Sequence, residues 1–148
     1  MIDKKMFGLI LLLLGTVAAT CAGAQGQFTL SGEVKLWLNA EVRIHLYTRE
    51  GWGARGPAGV PVFSQVIQPT LAQQKAGKIS FKMVGVPAGS YCLFAFQDTN
   101  GNGKWEQWEH QDPWGIYRNA GFSIPSWDEA KFELSKDMQG IVIGLGGQ

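Results

Sequence analysis

Three stretches of this chain alternate apolar and polar side chains with a period of two, and that pattern limits the available folds more than any other feature. Phe28, Leu30, Val34 and Leu36 are interleaved with Thr29, Ser31, Glu33 and Lys35; Val42, Ile44 and Leu46 with Arg43, His45 and Tyr47; Ile79, Phe81 and Met83 with Ser80 and Lys82. Successive side chains of a strand point to opposite faces, so each stretch predicts a strand with one face in a core and one in water. His45 is thereby expected on a wet face. The run Tyr91-Cys92-Leu93-Phe94-Ala95-Phe96 is apolar on both faces and predicts a central strand. Shorter strands are expected at Phe132 with Leu134 and at Ile141, Ile143 and Leu145. Residues 60–67 supply a seventh, at an edge because Pro61 cannot donate to a ladder.

Turn chemistry separates these runs at sandwich-like spacing. Residues 51–59 are glycine-rich and read as a mobile surface loop, residues 68–77 as a connection with room for one helical turn, and Pro87-Ala88-Gly89 as the turn into the central strand. No stretch of helical period is long enough to compete. The expectation is a single all-β domain over residues 25–148, a seven-stranded antiparallel β-sandwich.

Residues 1–24 have the layout of a secretory signal peptide. Lys4 and Lys5 precede an apolar run at 7–14, and Ala22-Gly23-Ala24 offers a small-x-small cleavage site before Gln25. The apolar run is shorter than the ~20 residues that span a bilayer, so no transmembrane span is expected in the mature chain. A periplasmic or secreted location follows. Lipid attachment at Cys21 is the weaker alternative, since Ala18-Ala19-Thr20 lacks the leucine and, directly before the cysteine, the small Gly or Ala such sites usually show. After cleavage Cys92 has no partner for an internal disulfide and reads as a small buried hydrophobe. Basic and acidic residues of the mature chain balance, which leaves no electrostatic footprint for nucleic acid.

The chemistry is concentrated at residues 98–109. Asp98, Asn100, Asn102, Gly103, Lys104, Glu106 and Glu109 match positions one, three, five, six, seven, nine and twelve of an EF-hand-like calcium loop. Side-chain oxygens at alternate positions of a tight loop converge on a hard cation, position seven contributes only its backbone carbonyl, and glycine takes the left-handed corner. The bland alternative is a tight Asn-Gly turn, which does not require the carboxylates in register. The expected cofactor is therefore Ca²⁺, held weakly, with a dissociation constant of order 10⁻⁴–10⁻³ M. Over residues 98–112, Asp98, Glu106, Glu109 and Asp112 face only Lys104, a local charge excess that a cation would relieve.

Three of the six tryptophans lie in or just beyond this segment. Trp105, at position eight, is expected to pack inward. Trp108 and Trp114 are the candidates for a surface platform that contacts a glycan or a partner protein. Neither His45 nor His110 belongs to a nucleophile and base pair in the sequence, so no enzymatic activity is expected.

The segments Val86-Pro87-Ala88-Gly89-Ser90-Tyr91 and Gln97-Asp98-Thr99-Asn100-Gly101-Asn102-Gly103-Lys104 resemble transthyretin-like, carboxypeptidase-regulatory-like domains of exported bacterial proteins. They are similar also to a related domain of unknown function with a Pro-x-Gly-x-Tyr and Asp-x-Asn-x-Asn-Gly pattern. Pro113-Trp114-Gly115-Ile116-Tyr117 and Gly121-Phe122-Ser123 are similar to the downstream segment of that pattern. The sequence departs from it in carrying Glu106 where Asp is commoner and in the added Trp108. The resemblance implies a prealbumin-like or Ig-like sandwich with a bound ion, serving as a non-catalytic accessory domain. An extracellular carbohydrate-binding module and a cell-envelope assembly module stay open as alternatives, with an unidentified envelope protein or glycan as partner.

Overall fold

The computed structural model describes residues 26–106, 112–119 and 123–146. The expected signal peptide, Cys21, Trp108, Glu109, His110, Gly121 and Phe122 lie outside the described residues. The strands are β1 (Gln27–Lys35), β2 (Glu41–Tyr47), β3 (Trp52–Gly53), β4 (Gly56–Pro57), β5 (Phe63–Ile67), β6 (Lys78–Pro87), β7 (Gly89–Asp98), β8 (Trp114–Ile116), β9 (Phe132–Leu134) and β10 (Met138–Gly144). Two short helices, α1 (Leu71–Ala76) and α2 (Trp127–Ala130), and a 3-10 turn at Arg49–Gly51 complete the described elements. None of these helices is long and apolar enough to cross a membrane.

Two sheets pack face to face. The first runs β10-β1-β6; the second runs β5-β2-β7-β8, with β9 pairing the opening half of β7. The period-two stretches explain the core between them. Leu30 and Val34 of β1, Ile79, Phe81 and Met83 of β6, and Ile141 and Ile143 of β10 meet Val42, Ile44 and Leu46 of β2 and Leu93 and Ala95 of β7. β7 is central and buried along most of its length, and β5 is an edge strand, as its preceding proline predicts. The helical turn expected at 68–77 is α1. It is closed by a capping box in which Thr70 and Gln73 exchange hydrogen bonds.

Three expectations are corrected. The strand count rises to ten among the described residues, because the two-residue strands β3 and β4 and the three-residue strand β8 are too short to show a period. The pairing is not wholly antiparallel, since β10 runs parallel to β1. Alternation reports which face a side chain occupies and is silent on strand direction. Residues 51–59 are not a mobile loop. They fold into the 3-10 turn and the β3–β4 hairpin, held by the Ala58 and Gly59 N–H groups on the Gly51 carbonyl.

That hairpin covers a second apolar layer on the outer face of the β2–β7–β8 sheet. Tyr47, Trp52, Cys92, Phe94, Phe96, Trp114 and Ile116 form it, with Trp105, Ile124 and Trp127 packed against them. Its rings meet mostly edge to face, as between Trp52 and Phe94 or Trp105 and Phe94. The predicted wet face of β2 is therefore largely covered. At one sheet edge β8 approaches β10 so closely that a Cβ on Gly115 would sit 2.2 Å from the Gly144 carbonyl oxygen, and Trp114 and Gly146 exchange backbone hydrogen bonds there. Only glycine fits at 115.

Candidate metal centre

β7 delivers two buried polar residues in succession to one end of the sandwich. Its last residue, Asp98, is 3% exposed and opens the loop. Its carboxylate accepts four hydrogen bonds. Oδ1 takes the N–H groups of Gly101 at 2.9 Å and Asn102 at 3.2 Å; Oδ2 takes Gly103 N–H at 2.7 Å and Arg43 Nε at 3.3 Å. Gly101 and Gly103 adopt φ of 72° and 78°, the left-handed region that lets consecutive N–H groups turn toward one carboxylate.

The asparagines extend this arrangement. Asn100 Oδ1 accepts from Asn102 N–H, and Asn102 Oδ1 accepts from Lys104 N–H, the local side-chain-to-backbone turns these residues favour. The Asn100 amide also donates to Glu106 Oε2 at 2.6 Å, joining positions three and nine across the loop. Lys104 keeps its side chain exposed. Of the expected ligands, Asp98, Asn100, Asn102, Lys104 and Glu106 thus share one compact loop. Glu109 lies outside the described residues, among which no three His, Cys, Asp or Glu side chains are grouped to hold a metal ion. The donor set that is gathered consists of carboxylate and amide oxygens, the chemistry a hard cation takes.

Two participants were not read as site residues from sequence. Arg43, on β2, bonds Asp98 and also Glu41, 2.7 Å away, so part of the negative charge is met by a guanidinium from the neighbouring strand. Asp112 is 2% exposed and closes the loop from its far side. Its Oδ1 accepts from the Thr99 N–H and hydroxyl, and its Oδ2 from Glu106 N–H at 3.1 Å. Lys104 is the expected cation within the segment itself, and Arg43 adds a second one to Asp98 from outside it. Register places it there, with Glu41 opposite Asp98 and Arg43 opposite Phe96.

Beneath the loop, Trp105 packs inward as expected, its ring 5.1 Å from Phe94 and 5.9 Å from Trp114. Trp114 was expected at the surface and is only 7% exposed. Strand β8 turns it into the outer aromatic layer, where it stacks on Phe94. It offers no platform. Trp108 lies outside the described residues. His45 is likewise half-buried, edge-on to Phe96 and bonded to the Tyr47 hydroxyl at 3.0 Å. Burial, reinforced by the Arg43 charge, pushes its imidazole from the usual 6.5 down to about 4. Burial pushes the Cys92 thiol up to about 12, in keeping with a packing role.

The Pro-x-Gly-x-Tyr segment acquires a physical reason in the same frame. Tyr91 donates its hydroxyl to the Pro87 carbonyl at 2.9 Å, bracing the corner where the chain leaves β6 in one sheet and enters β7 in the other. A family model described as "Uncharacterized protein conserved in bacteria (DUF2141)" matches residues 39–141. The chain belongs to that family. The matched span takes in the loop, the Tyr91 corner, the whole β5-β2-β7-β8 sheet, β6 and the start of β10, and leaves out β1, so in this DUF2141 chain the loop from Asp98 to Glu106 lies inside the family's own domain. No curated protein and no solved structure matches the sequence.

Proposed function

We propose that this chain is an exported, non-catalytic accessory or binding domain of transthyretin-like kinship, whose loop at 98–109 holds one structural Ca²⁺. The observation that carries the reading is the Asp98 loop. A buried carboxylate gathers three consecutive backbone N–H groups while Asn100, Asn102 and Glu106 bring side-chain oxygens to the same turn. Asp98, Asn100, Asn102, the Lys104 carbonyl, Glu106 and Glu109 hold the ion, which supplies positive charge to a segment whose sequence is rich in acidic residues. The signal peptide at 1–24 delivers the domain to a compartment where millimolar calcium suits a weak site.

The mechanism is ligand linkage. An ion that binds the folded loop and scarcely the unfolded chain stabilises the domain by RT ln(1 + [Ca²⁺]/Kd). Calorimetric titration of the purified protein with calcium and with magnesium tests this. Calcium-selective uptake of one equivalent, lost in Asp98→Asn, is expected; equal heats for both ions, or uptake unchanged in that variant, would refute it.

A second reading, a cell-envelope assembly module, is favoured by the loop between β1 and β2. Trp37 is 60% and Leu38 45% exposed there, although the loop backbone is fastened by the buried Gln97. An ordered loop that leaves two large apolar side chains in water suits protein contact. If so, Trp37→Ser leaves the melting temperature unchanged and abolishes co-purification of a specific second protein.

A further inference from the structure

A cleft of about 260 Å³ opens beside the outer aromatic layer, between the 3-10 turn with the β3–β4 hairpin on one side and the start of α2 on the other. We infer that this cleft is a binding site for a neutral pyranose saccharide, with Trp127 as the stacking surface and Arg49 and Asp128 as the hydroxyl-binding groups. The inference rests on the reading of the chain as a binding domain and is independent of calcium.

Trp127 is the first reason. It packs on the outer layer and lines the cleft, yet no aromatic ring among the described residues meets its indole, whereas Trp52, Trp105 and Trp114 are each engaged by one. The apolar C–H face of a sugar ring is a natural complement to the part of this half-buried indole that lines the cleft. The back wall is rigid. Trp52 is fixed by its Nε1 donating to the Pro125 carbonyl at 3.2 Å and by edge contacts with Tyr47 and Phe94.

The polar groups complete the set. Arg49 is exposed and makes no ion pair among the described residues, so its guanidinium fork is available to two vicinal hydroxyls. Asp128 accepts, and Lys131 steadies its carboxylate at 3.0 Å. Ser126 is locked by its N–H and hydroxyl on Glu129 Oε2, which fixes the start of α2 and with it Trp127. Gly53 and Ala54 leave the hairpin side of the cleft without bulk. The rim carries both signs of charge, which favours a neutral ligand whose hydroxyls both donate and accept over a phosphate that Asp128 would repel. The volume lies just below the roughly 300–1,000 Å³ of drug-sized pockets and suits one or two sugar rings.

The test is an NMR titration of the purified ¹⁵N-labelled protein with cellobiose, maltose and N,N′-diacetylchitobiose to tens of millimolar, in calcium and in EDTA. At least one disaccharide is expected to shift the Trp127 indole N–H saturably, with or without calcium, and with millimolar affinity. Arg49→Gln and Asp128→Asn, both at exposed positions, are expected to weaken binding roughly tenfold at an unchanged melting temperature. Trp127→Ala should abolish it, and if that variant does not fold the two exposed-site variants carry the test. No indole shift with any of the three sugars, or a shift that survives in Arg49→Gln and Asp128→Asn, would overturn the assignment. Binding seen only with calcium would overturn its independence from the loop.

Discussion

Gln97 and Asp98 follow one another at the end of β7, are both buried, and each fastens a different loop, yet they do so with opposite electrostatic consequences. Gln97 uses a neutral amide. Its Oε1 accepts the N–H groups of Trp37 and Leu38, each at 2.8 Å, and its Nε2 donates to the carbonyls of Leu38 and Ala40, so donors and acceptors balance within the loop. Asp98 can only accept, and it brings a buried negative charge that must be met from elsewhere. Arg43 meets part of it from β2. A neutral pin is complete in itself, whereas a charged pin leaves a cation something to do. That difference is the reason for proposing calcium at the loop after β7 and not at the loop before β2.

The sharpest way to break this comparison is to remove the charged pin. Asp98→Ala deprives three backbone N–H groups and Arg43 of their acceptor and is expected to cost about 3–5 kcal/mol in urea unfolding. A loss below about 1 kcal/mol would show that the loop bears little of the fold's stability. Gln97→Ala should cost less, about 1–3 kcal/mol, because water can reach part of the exposed loop it fastens. Its cost should be the same in calcium and in EDTA, and a calcium-dependent cost would erase the distinction between the two pins.

Arg43 links the charged pin to pH. Because the His45 imidazole is held near 4 against an ordinary 6.5, the folded state binds fewer protons between those values. Stability is therefore complete above about pH 6.5 and falls as the pH drops toward 4, by on the order of 1–2 kcal/mol once partial solvent screening is allowed for. His45→Gln should flatten that part of the pH profile of denaturant midpoints. Arg43→Gln, which removes the neighbouring cation, should raise the His45 pKa, measurable by NMR. The smallest effect belongs to a cap remote from this chemistry. Thr70→Ala at α1 is expected to lower stability by about 0.5–1 kcal/mol, with no response to calcium or pH.

The sheets were legible where one side chain in two is apolar. Val42, Ile44 and Leu46 show their inward face directly, and the unbroken run from Tyr91 to Phe96 marks a strand covered on both sides. Arg43, His45 and Tyr47 misled, because an amphipathic side chain can lie along a buried ring and still be counted polar. Trp114 misled for a related reason: a strand of three residues has no period from which to read its face.

Within the candidate site, the residues close in sequence were readable from spacing alone. Arg43 was not, since its place beside Asp98 depends on the pairing of β2 with β7. Asp112 left one usable signal, an acidic residue directly before Pro113 and the apolar run at 114–116. Its role as the far clasp of the loop becomes visible only in the hydrogen bonds to Thr99 and Glu106.

The most direct test of the account is thermal unfolding of the wild type and Asp98→Asn in millimolar calcium, in magnesium and in EDTA. The account predicts a rise of several degrees for the wild type in calcium alone, and no such rise for the variant. A wild-type melting temperature that is the same in all three solutions would contradict it and leave the stretch from Asp98 to Glu106 as a polar turn held by Asp98, Asp112 and Arg43.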